Sequence, residues 1–405
     1  MKNYIIAWRN LWRNRRRTMI TVASVFFGVL LASFMSSMQE GSYAKMIDNV
    51  VKFYSGYIQV QEEDYWEHKT LYYSFDVTDE LYNKIDSVEQ VTLVTPRLES
   101  FALASSFDIT QPAVIVGIDP EKENRMTGIS RWIKEGSYFG ENHNAILLAE
   151  TLAKNLDVKL NDTIALLGQG YYGNTVAAEF VVKGILSFPN PELNKGFAYL
   201  ELGRAQQFYS AEGKLTSLSL MLNDYSDMEE AMHKLENLME SPYRVLSWEE
   251  MQPEMVQMIE SDRAGGVIMK AILYIIIGFG ILGTIMMMIA ERRKELGLMV
   301  AVGMQKHKLA GILFYETLYM GLIGVFGGIL ASIPLIVWFI HHPIPLTGDA
   351  AQAMIDMGIE PLMYFSAEIK VFFNQFITIL ILTLIISLYP IFNAFRMREI
   401  RWLRE

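Results

Sequence analysis

The sequence predicts an α-helical membrane protein with four transmembrane helices plus a large α+β extracytoplasmic domain inserted between helices 1 and 2. Three observations carry this. Four apolar runs, 19–38, 267–290, 311–340 and 371–394, are each long enough for a bilayer core, which takes about 20 helical residues. The stretch 40–265 has mixed and alternating patterns and is long enough to bury a core of its own. Charge is segregated. The segments before the first run, between the second and third, and after the fourth hold 15 Lys/Arg and four acids, whereas 40–265 holds 18 Lys/Arg and 36 Asp/Glu. Basic residues collect on the cytoplasmic side of spans, so both termini are expected inside and 40–265 outside. A soluble fold would have to bury whole helical turns with almost no polar face.

Taken in order, residues 1–18 read as a cytoplasmic amphipathic elbow helix. Ile5, Ile6, Trp8, Leu11 and Trp12 alternate with Arg9, Arg13 and the run Arg15-Arg16-Arg17, as in helices lying in a membrane interface. Lys2 belongs to the same basic segment. Span one covers 19–39; its apolar core is longer than a signal peptide's, and Ser36-Ser37-Met38 is a poor cleavage site. The extracytoplasmic domain with its stalk covers 40–265. Within it, strands are expected at 56–61, 91–96, 113–117, 144–148, 163–167, 177–185 and 218–222, and helices at 80–86, 149–156, 203–209 and 228–239. The interleaving gives an α+β domain of two lobes, with turn-rich loops at 168–174 and 187–195. From Ser247 the chain turns helical again, Pro253 being tolerated in a first turn, and runs into span two at 266–290.

Met251, Met255, Met258 and Ile259 fall on one face of this return helix. The stripe suits packing against the extension of span one near Phe34 and Met38, or contact with an apolar substrate, because methionine adapts to irregular shapes. Residues 291–308 form a cytoplasmic segment opening with five charges, Glu291, Arg292, Arg293, Lys294 and Glu295. It continues as a helix through Gly297 with an apolar stripe of Leu296, Met299 and Val300. It ends at Gly303, where a C-cap favours a residue free to adopt φ > 0. A short helix held along the membrane surface can receive a push from a soluble partner. Span three covers 309–340; its Gly321, Gly324, Gly327 and Gly328 allow close helix approach. Glu316, about two turns into that span, is an intramembrane acid expected to pair with an Arg or Lys of 291–308. Lys270 in span two can snorkel outward. A loop at 341–370, span four at 371–395 and a basic tail at 396–405 complete the chain.

Much chemistry is excluded. The chain has no cysteine, hence no disulfide and no lipid-modified anchor. It lacks a Gly-x-x-x-x-Gly-Lys-[Ser/Thr] phosphate loop, His-Glu-x-x-His and Gly-x-Ser-x-Gly. His341 and His342 are neighbours on a loop and read as solvated. No catalytic, cofactor or metal residue is expected, and nucleic acid is not an expected partner, because basic clusters occur only at the inner membrane surface. Any energy must come from a separate subunit.

Several segments resemble a known family. Arg9-Asn10-Leu11-Trp12-Arg13-Asn14 followed by Arg15-Arg16-Arg17-Thr18, the strand Gly56-Tyr57-Ile58-Gln59-Val60, the blocks Val116-Gly117-Ile118-Asp119-Pro120 and Ile146-Leu147-Leu148-Ala149-Glu150, the stalk Trp248-Glu249-Glu250-Met251-Gln252-Pro253 and the segment 291–303 together resemble the FtsX/MacB-like permeases of ABC transporters. Within these the chain is most similar to the lipoprotein-releasing (LolC/LolE-type) branch. One position departs: many members carry Arg or Lys where this chain has Val300.

The resemblance implies a non-enzymatic permease of the bacterial inner membrane. It would form a dimer with a second copy or a paralogue, on a cytoplasmic ABC ATPase dimer that binds the ATP and Mg. Glu291, Arg292, Arg293, Lys294, Glu295, Gly297 and Gly303 would form the ATPase-coupling segment. Strokes of the ATPases would move the outer stalks by mechanotransmission. A lipoprotein or other apolar cargo would be extracted from the outer leaflet and passed to a periplasmic carrier or adaptor, with Phe34, Met38, Met255 and Met258 as the substrate surface in contact with membrane lipid. Two alternatives remain: an exporter of small molecules or peptides working with an adaptor and outer-membrane channel, and a signal transmitter controlling an envelope enzyme. A neighbouring adaptor gene would favour export, a neighbouring lipoprotein carrier release.

Overall fold

Helix α1 (Asn3–Arg13) and helix α2 (Arg15–Val50) are separated by a single break at Asn14, whose carbonyl accepts from the amides of Arg17 and Thr18. The computed structural model describes residues 3–140, 144–188, 191–356 and 360–396, so Lys2 and most of the basic tail, including Arg398, Arg401 and Arg404, lie outside the described residues. The return from the α+β elements leads into α3 (Pro253–Glu291), α4 (Arg293–Ala301), α5 (Lys306–His341) and α6 (Ile369–Arg396), with a short helix Asp349–Asp356 between the last two. Among the described residues, α2, α3, α5 and α6 are the helices long and apolar enough to cross a membrane, so the chain is a multi-pass membrane protein. The chain divides into two compact units, one holding Met1–Ala44, Met258–Pro345 and Leu362–Glu405, the other Lys45–Gln257 and Leu346–Pro361.

In the first unit α2 and α3 run antiparallel in close register. A Cβ on Gly28 would fall 2.2 Å from Ile277, and one on Gly266 would fall 2.2 Å from Gln39. Arg263 reaches Glu40 at 3.3 Å, and the Tyr43 hydroxyl donates to Asp262. Small residues permit this approach where lipid gives no hydrophobic drive between helices. The glycines of α5 do the same work. Gly324 and Gly328 face Val25 and Val29 of α2, and Gly321 faces Thr383 of α6. The core so formed includes Val25, Val29, Ile277, Ile281, Ile285, Met320, Val325 and Ile379.

The second unit is built on ten strands: β1 (Ile58–Glu62), β2 (Val91–Ser106), β3 (Ile109–Ile118), β4 (Ile133–Gly136), β5 (Ala145–Ala149), β6 (Thr163–Gln169), β7 (Thr175–Leu186), β8 (Phe197–Glu201), β9 (Ser217–Leu222) and β10 (Tyr243–Ser247). They run β10-β1-β9-β2-β3-β8-β5-β7-β4, and β6 bridges β2 and β7. This pairing closes a ring of six strands, β2-β3-β8-β5-β7-β6 and back to β2. Ile146, Leu148, Ile164, Leu166, Phe180 and Val182 fill the ring's core, with Ala205 and Phe208 of the helix Leu202–Tyr209 against it. The strands β10, β1, β9 and β2 form the second lobe. There Leu218, Leu220 and Leu222 alternate with Ser217, Ser219 and Met221, the two serines being buried as well, and pack with Ile58 and Val60 under the helices Asp79–Asp86 and Met228–Leu238. The α+β class expected from the sequence is the one found, and β2 belongs to both lobes.

Strand β2 reaches ten residues past the expected 91–96, because 99–106, rich in Ala and Ser, carries little β-branched signal. The strands β4, β8 and β10 were not expected, and the supposed loop 187–195 contains a helix, Pro191–Gly196.

Two polar features brace this unit. Arg97 of β2 is 2% exposed and holds Glu123, itself 1% exposed, through Nε to Oε2 at 2.9 Å and Nη2 to Oε1 at 2.7 Å. Its Nη1 donates to the carbonyl of Tyr54 in the π-helical turn Val51–Ser55, and the Tyr54 hydroxyl donates to Glu99 at 2.8 Å. The pair therefore ties the end of the entering chain to the strand common to both lobes. In the second feature, Glu150 receives Lys134 at 2.8 Å, Lys154 at 2.7 Å and the Ser187 hydroxyl at 2.7 Å. These bonds, Lys134's first, hold its carboxyl down at about 2. The folded value lies below the ordinary one, so the stabilisation is present above about pH 4.5 and is lost as pH falls through about 2. Both lysines are more than half exposed, so screening limits the effect. Glu150→Gln is expected to cost about 1 kcal/mol at pH 7 and progressively less as pH falls toward about 2, measured by thermal unfolding of the full chain in micelles.

Candidate functional site

Helix α4 is short and amphipathic. Leu296 and Val300 are buried and Met299 partly so, packed with Leu11 of α1, Met288 and Ile289 of α3 and Leu309 of α5. Gly297 is buried on the same side. The helix ends in a tight turn: the Gly303 amide donates to Val300 at 2.9 Å and the Met304 amide to Met299 at 3.0 Å, with Gly303 at φ +101°. That positive φ suits glycine, as the C-cap expectation required.

The charges around α4 make a connected network. Glu316 of α5 is 1% exposed. Its Oε1 and Oε2 each lie 3.1 Å from Arg292 Nη1, and its Oε1 accepts from Asn10 Nδ2 of α1 at 2.6 Å. Arg292 is itself buried. Further out, Glu295 accepts from Arg13 Nη2 at 2.5 Å, and Glu291 pairs with Arg17. Thus Glu316 meets a basic residue of the charged segment, and three helices converge on its one carboxylate. The outer pairs differ in weight from the inner one. Arg13 and Glu295 are both 56% exposed, so their pair contributes a few tenths to ~1 kcal/mol. Removing one partner of a buried pair costs ~3–5 kcal/mol.

The sequence alone does not single out Asn10, Arg13 and Arg17 as partners for these acids. Their signal was present: they stand at i, i+3 and i+7, one face of a nearly continuous helix. The neighbours that face meets are set by tertiary packing. Trp8 against Tyr319, with centroids 5.5 Å apart, and Gly311 against Asn3 fix α1 along α5.

The network leaves a different surface outward. Lys294, Leu298, Ala301 and Val302 are exposed at i, i+4, i+7 and i+8, with Leu298 57% and Val302 81% exposed. Val300, by contrast, is 8% exposed and faces the core. Its apolar character follows from that burial.

The four residues expected to form a substrate surface are all half-buried. Phe34 packs its ring on Phe339 at 5.6 Å and Phe365 at 4.9 Å. Met38 lies one turn along α2, beside the stretch where Ser37 exchanges hydrogen bonds with Ser366. Met255 belongs to the second unit, in a cluster with Ile47, Val51, Trp248 and Met251. Met258 begins the α3 portion of the first unit, next to buried Ile259. Met251 and Met255 thus pack beside Ile47 and Val51, at the end of α2 and the turn that follows it.

Residues 18–238 match the model of the MacB-like periplasmic core domain, and residues 267–398 that of the FtsX-like permease C-terminal region. The chain is similar to the lipoprotein-releasing system transmembrane protein LolC of Xylella fastidiosa (strain 9a5c), 21% identical over 327 residues covering 78% of each chain. It is similar to LolE of Haemophilus influenzae, 23% identical over 339 residues and again 78% of each chain. Among solved structures, the periplasmic region of MacB from Actinobacillus actinomycetemcomitans aligns at 13% identity with a TM-score of 0.36, covering 53% of this chain and 98% of that one.

Proposed function

Because the chain belongs to the MacB/FtsX-like family of ABC transporter permeases, we propose that it extracts lipoproteins from the outer leaflet of the inner membrane, driven by a separate ATPase. Both termini and α4 lie in the cytoplasm and the ten-stranded domain in the periplasm, a reading supported by the segregation of Lys and Arg. Two permeases, a pair of copies or one copy with a paralogue, sit on an ATPase dimer that holds ATP and Mg. The single observation that carries the reading is the geometry of α4. One face is locked to α1 and α5 through Glu316, and the opposite face offers Leu298 and Val302 to solvent. Such a helix passes a displacement to the spans. The lipoprotein cargo is supported by similarity to two lipoprotein-releasing proteins. Its acyl chains would meet Phe34, Met38, Met255 and Met258 before transfer to a periplasmic carrier.

Capture of the chain from native membranes in mild detergent, with mass spectrometry of proteins and lipids, tests this. An ATPase together with a triacylated lipoprotein is the expected result. An ATPase with an adaptor or an envelope hydrolase, and no lipoprotein, would replace extraction by export or signalling. The docking face has its own test. Leu298→Asp combined with Val302→Asp is expected to weaken ATPase association roughly tenfold or more, as loss of an apolar anchor does. Because both side chains are exposed, the permease's stability should stay within ~0.5 kcal/mol. Unchanged association would remove α4 from the interface.

A further inference from the structure

Lys270 lies inside the apolar run of α3 and forms no ion pair among the described residues; its ammonium donates to Ser36 Oγ of α2 at 3.4 Å. Gln375 Nε2 of α6 donates to the same hydroxyl oxygen at 3.0 Å, and the Tyr274 hydroxyl donates to Gln375 Oε1. Ser36 is 6% and Gln375 3% exposed. The cluster is rich in donors and poor in acceptors. The ammonium brings three N–H groups, the amide two and the two hydroxyls one each, against three side-chain oxygens, those of Ser36, Tyr274 and the Gln375 amide, in return. A cation placed in a membrane span without a carboxylate is costly unless an anion meets it.

Depth says which anion. Lys270 is 21 residues before Glu291, the last residue of α3 and the first charge of the segment that continues into α4. At 1.5 Å per residue that is about 32 Å, close to the ~30 Å thickness of the hydrocarbon core. If the Glu291 end lies at one headgroup layer, the Lys270 ammonium reaches the other, where phospholipid phosphates lie. We propose that Lys270, Ser36 and Gln375 form a binding site for an oxyanion, the phosphate of an anionic phospholipid in the leaflet opposite α4. Lys270 supplies the charge, and the Ser36–Gln375 pair fixes the side chain and offers the neighbouring donors. The site does not depend on the transport reading, because it is defined within one chain and needs no ATPase or cargo.

The test uses the full chain purified in neutral detergent and titrated with phosphatidylglycerol, with native mass spectrometry counting bound lipid. The wild type is expected to hold one phosphatidylglycerol per chain, bound roughly tenfold or more tighter than by Lys270→Met, the loss expected for a charge-assisted phosphate contact. Lys270→Arg should retain it, and Gln375→Leu should weaken it with the lysine intact. Free inorganic phosphate serves as competitor. Displacement of the lipid at millimolar phosphate would assign the site to a soluble anion and overturn the lipid assignment. Equal retention by wild type and Lys270→Met would overturn the site altogether.

Discussion

Replacing Glu123 by alanine is expected to destabilise the ten-stranded unit by about 3–5 kcal/mol, because it removes both close carboxylate contacts of the buried Arg97 guanidinium and leaves only Glu99, 4.0 Å from Nη1, as counter-charge. For a folded unit of this size the loss corresponds to a fall in Tm of roughly 8–15 °C. The large figure reflects desolvation more than attraction. Taking both charges out of water is nearly as costly as their pairing is favourable, so a well-packed apolar pair should do almost as well. Arg97→Met with Glu123→Leu is therefore expected to return stability to within ~1–2 kcal/mol of the wild type. Thermal unfolding of the three full-length variants in micelles checks this. If the single variant loses less than ~1 kcal/mol, water reaches Arg97 and the clamp on the Tyr54 carbonyl is not the brace described above.

The second large effect is expected at Glu316. Glu316→Ala leaves Arg292, which is buried beside it, with only the longer contact from its Nε to Glu295 at 3.5 Å, and frees Asn10 of α1. A cost of ~3–5 kcal/mol follows from the same argument, together with loss of ATPase stimulation. Arg292→Met combined with Glu316→Leu separates these two consequences. Stability should largely recover, while stimulation should stay at least roughly tenfold down, because the apolar pair no longer holds α4 and α1 to one carboxylate. Recovery of both would make the network a packing device with no part in transmission. Glu316→Gln should fall between, since its amide oxygen can still accept from Asn10 while the charge opposite Arg292 is gone.

What the sequence made legible follows from which signals are local. The four long helices were readable because lipid-facing residues must be apolar along their whole length. The α4 stripe of Leu296, Met299 and Val300 was readable because helical period is a property of the segment itself. The pairing of Glu316 with Arg292 was anticipated as a kind of partner, since a buried acid needs a cation. Asn10 and Arg13 as the third and fourth members were not, because nothing in residues 3–13 records that α1 will lie along α5. The outer strands show the same division. Ser217–Leu222 alternates and was found, whereas β2 beyond Pro96 draws its strand geometry from pairing with β3 and β6 on either side. The neighbours of Met255, Ile47 and Val51, are not legible in the sequence for a related reason. Hydrophobic stripes give a face, but only the register of α2 against α3 gives a level.

The outward face of α4 has a consequence for paralogues. A cell with several ABC systems must keep each permease on its own ATPase, and discrimination between similar partners usually rests on repulsive as well as attractive elements. Around this helix Glu291, Arg292 and Glu295 already have partners within the chain, and Leu298, Ala301 and Val302 offer shape with little charge code. If α4 docks an ATPase as proposed, it would tolerate a foreign one whose groove is merely apolar and of similar width. Fidelity of pairing would then have to come from Lys294, from other cytoplasmic residues, or from expression of the matching subunits together.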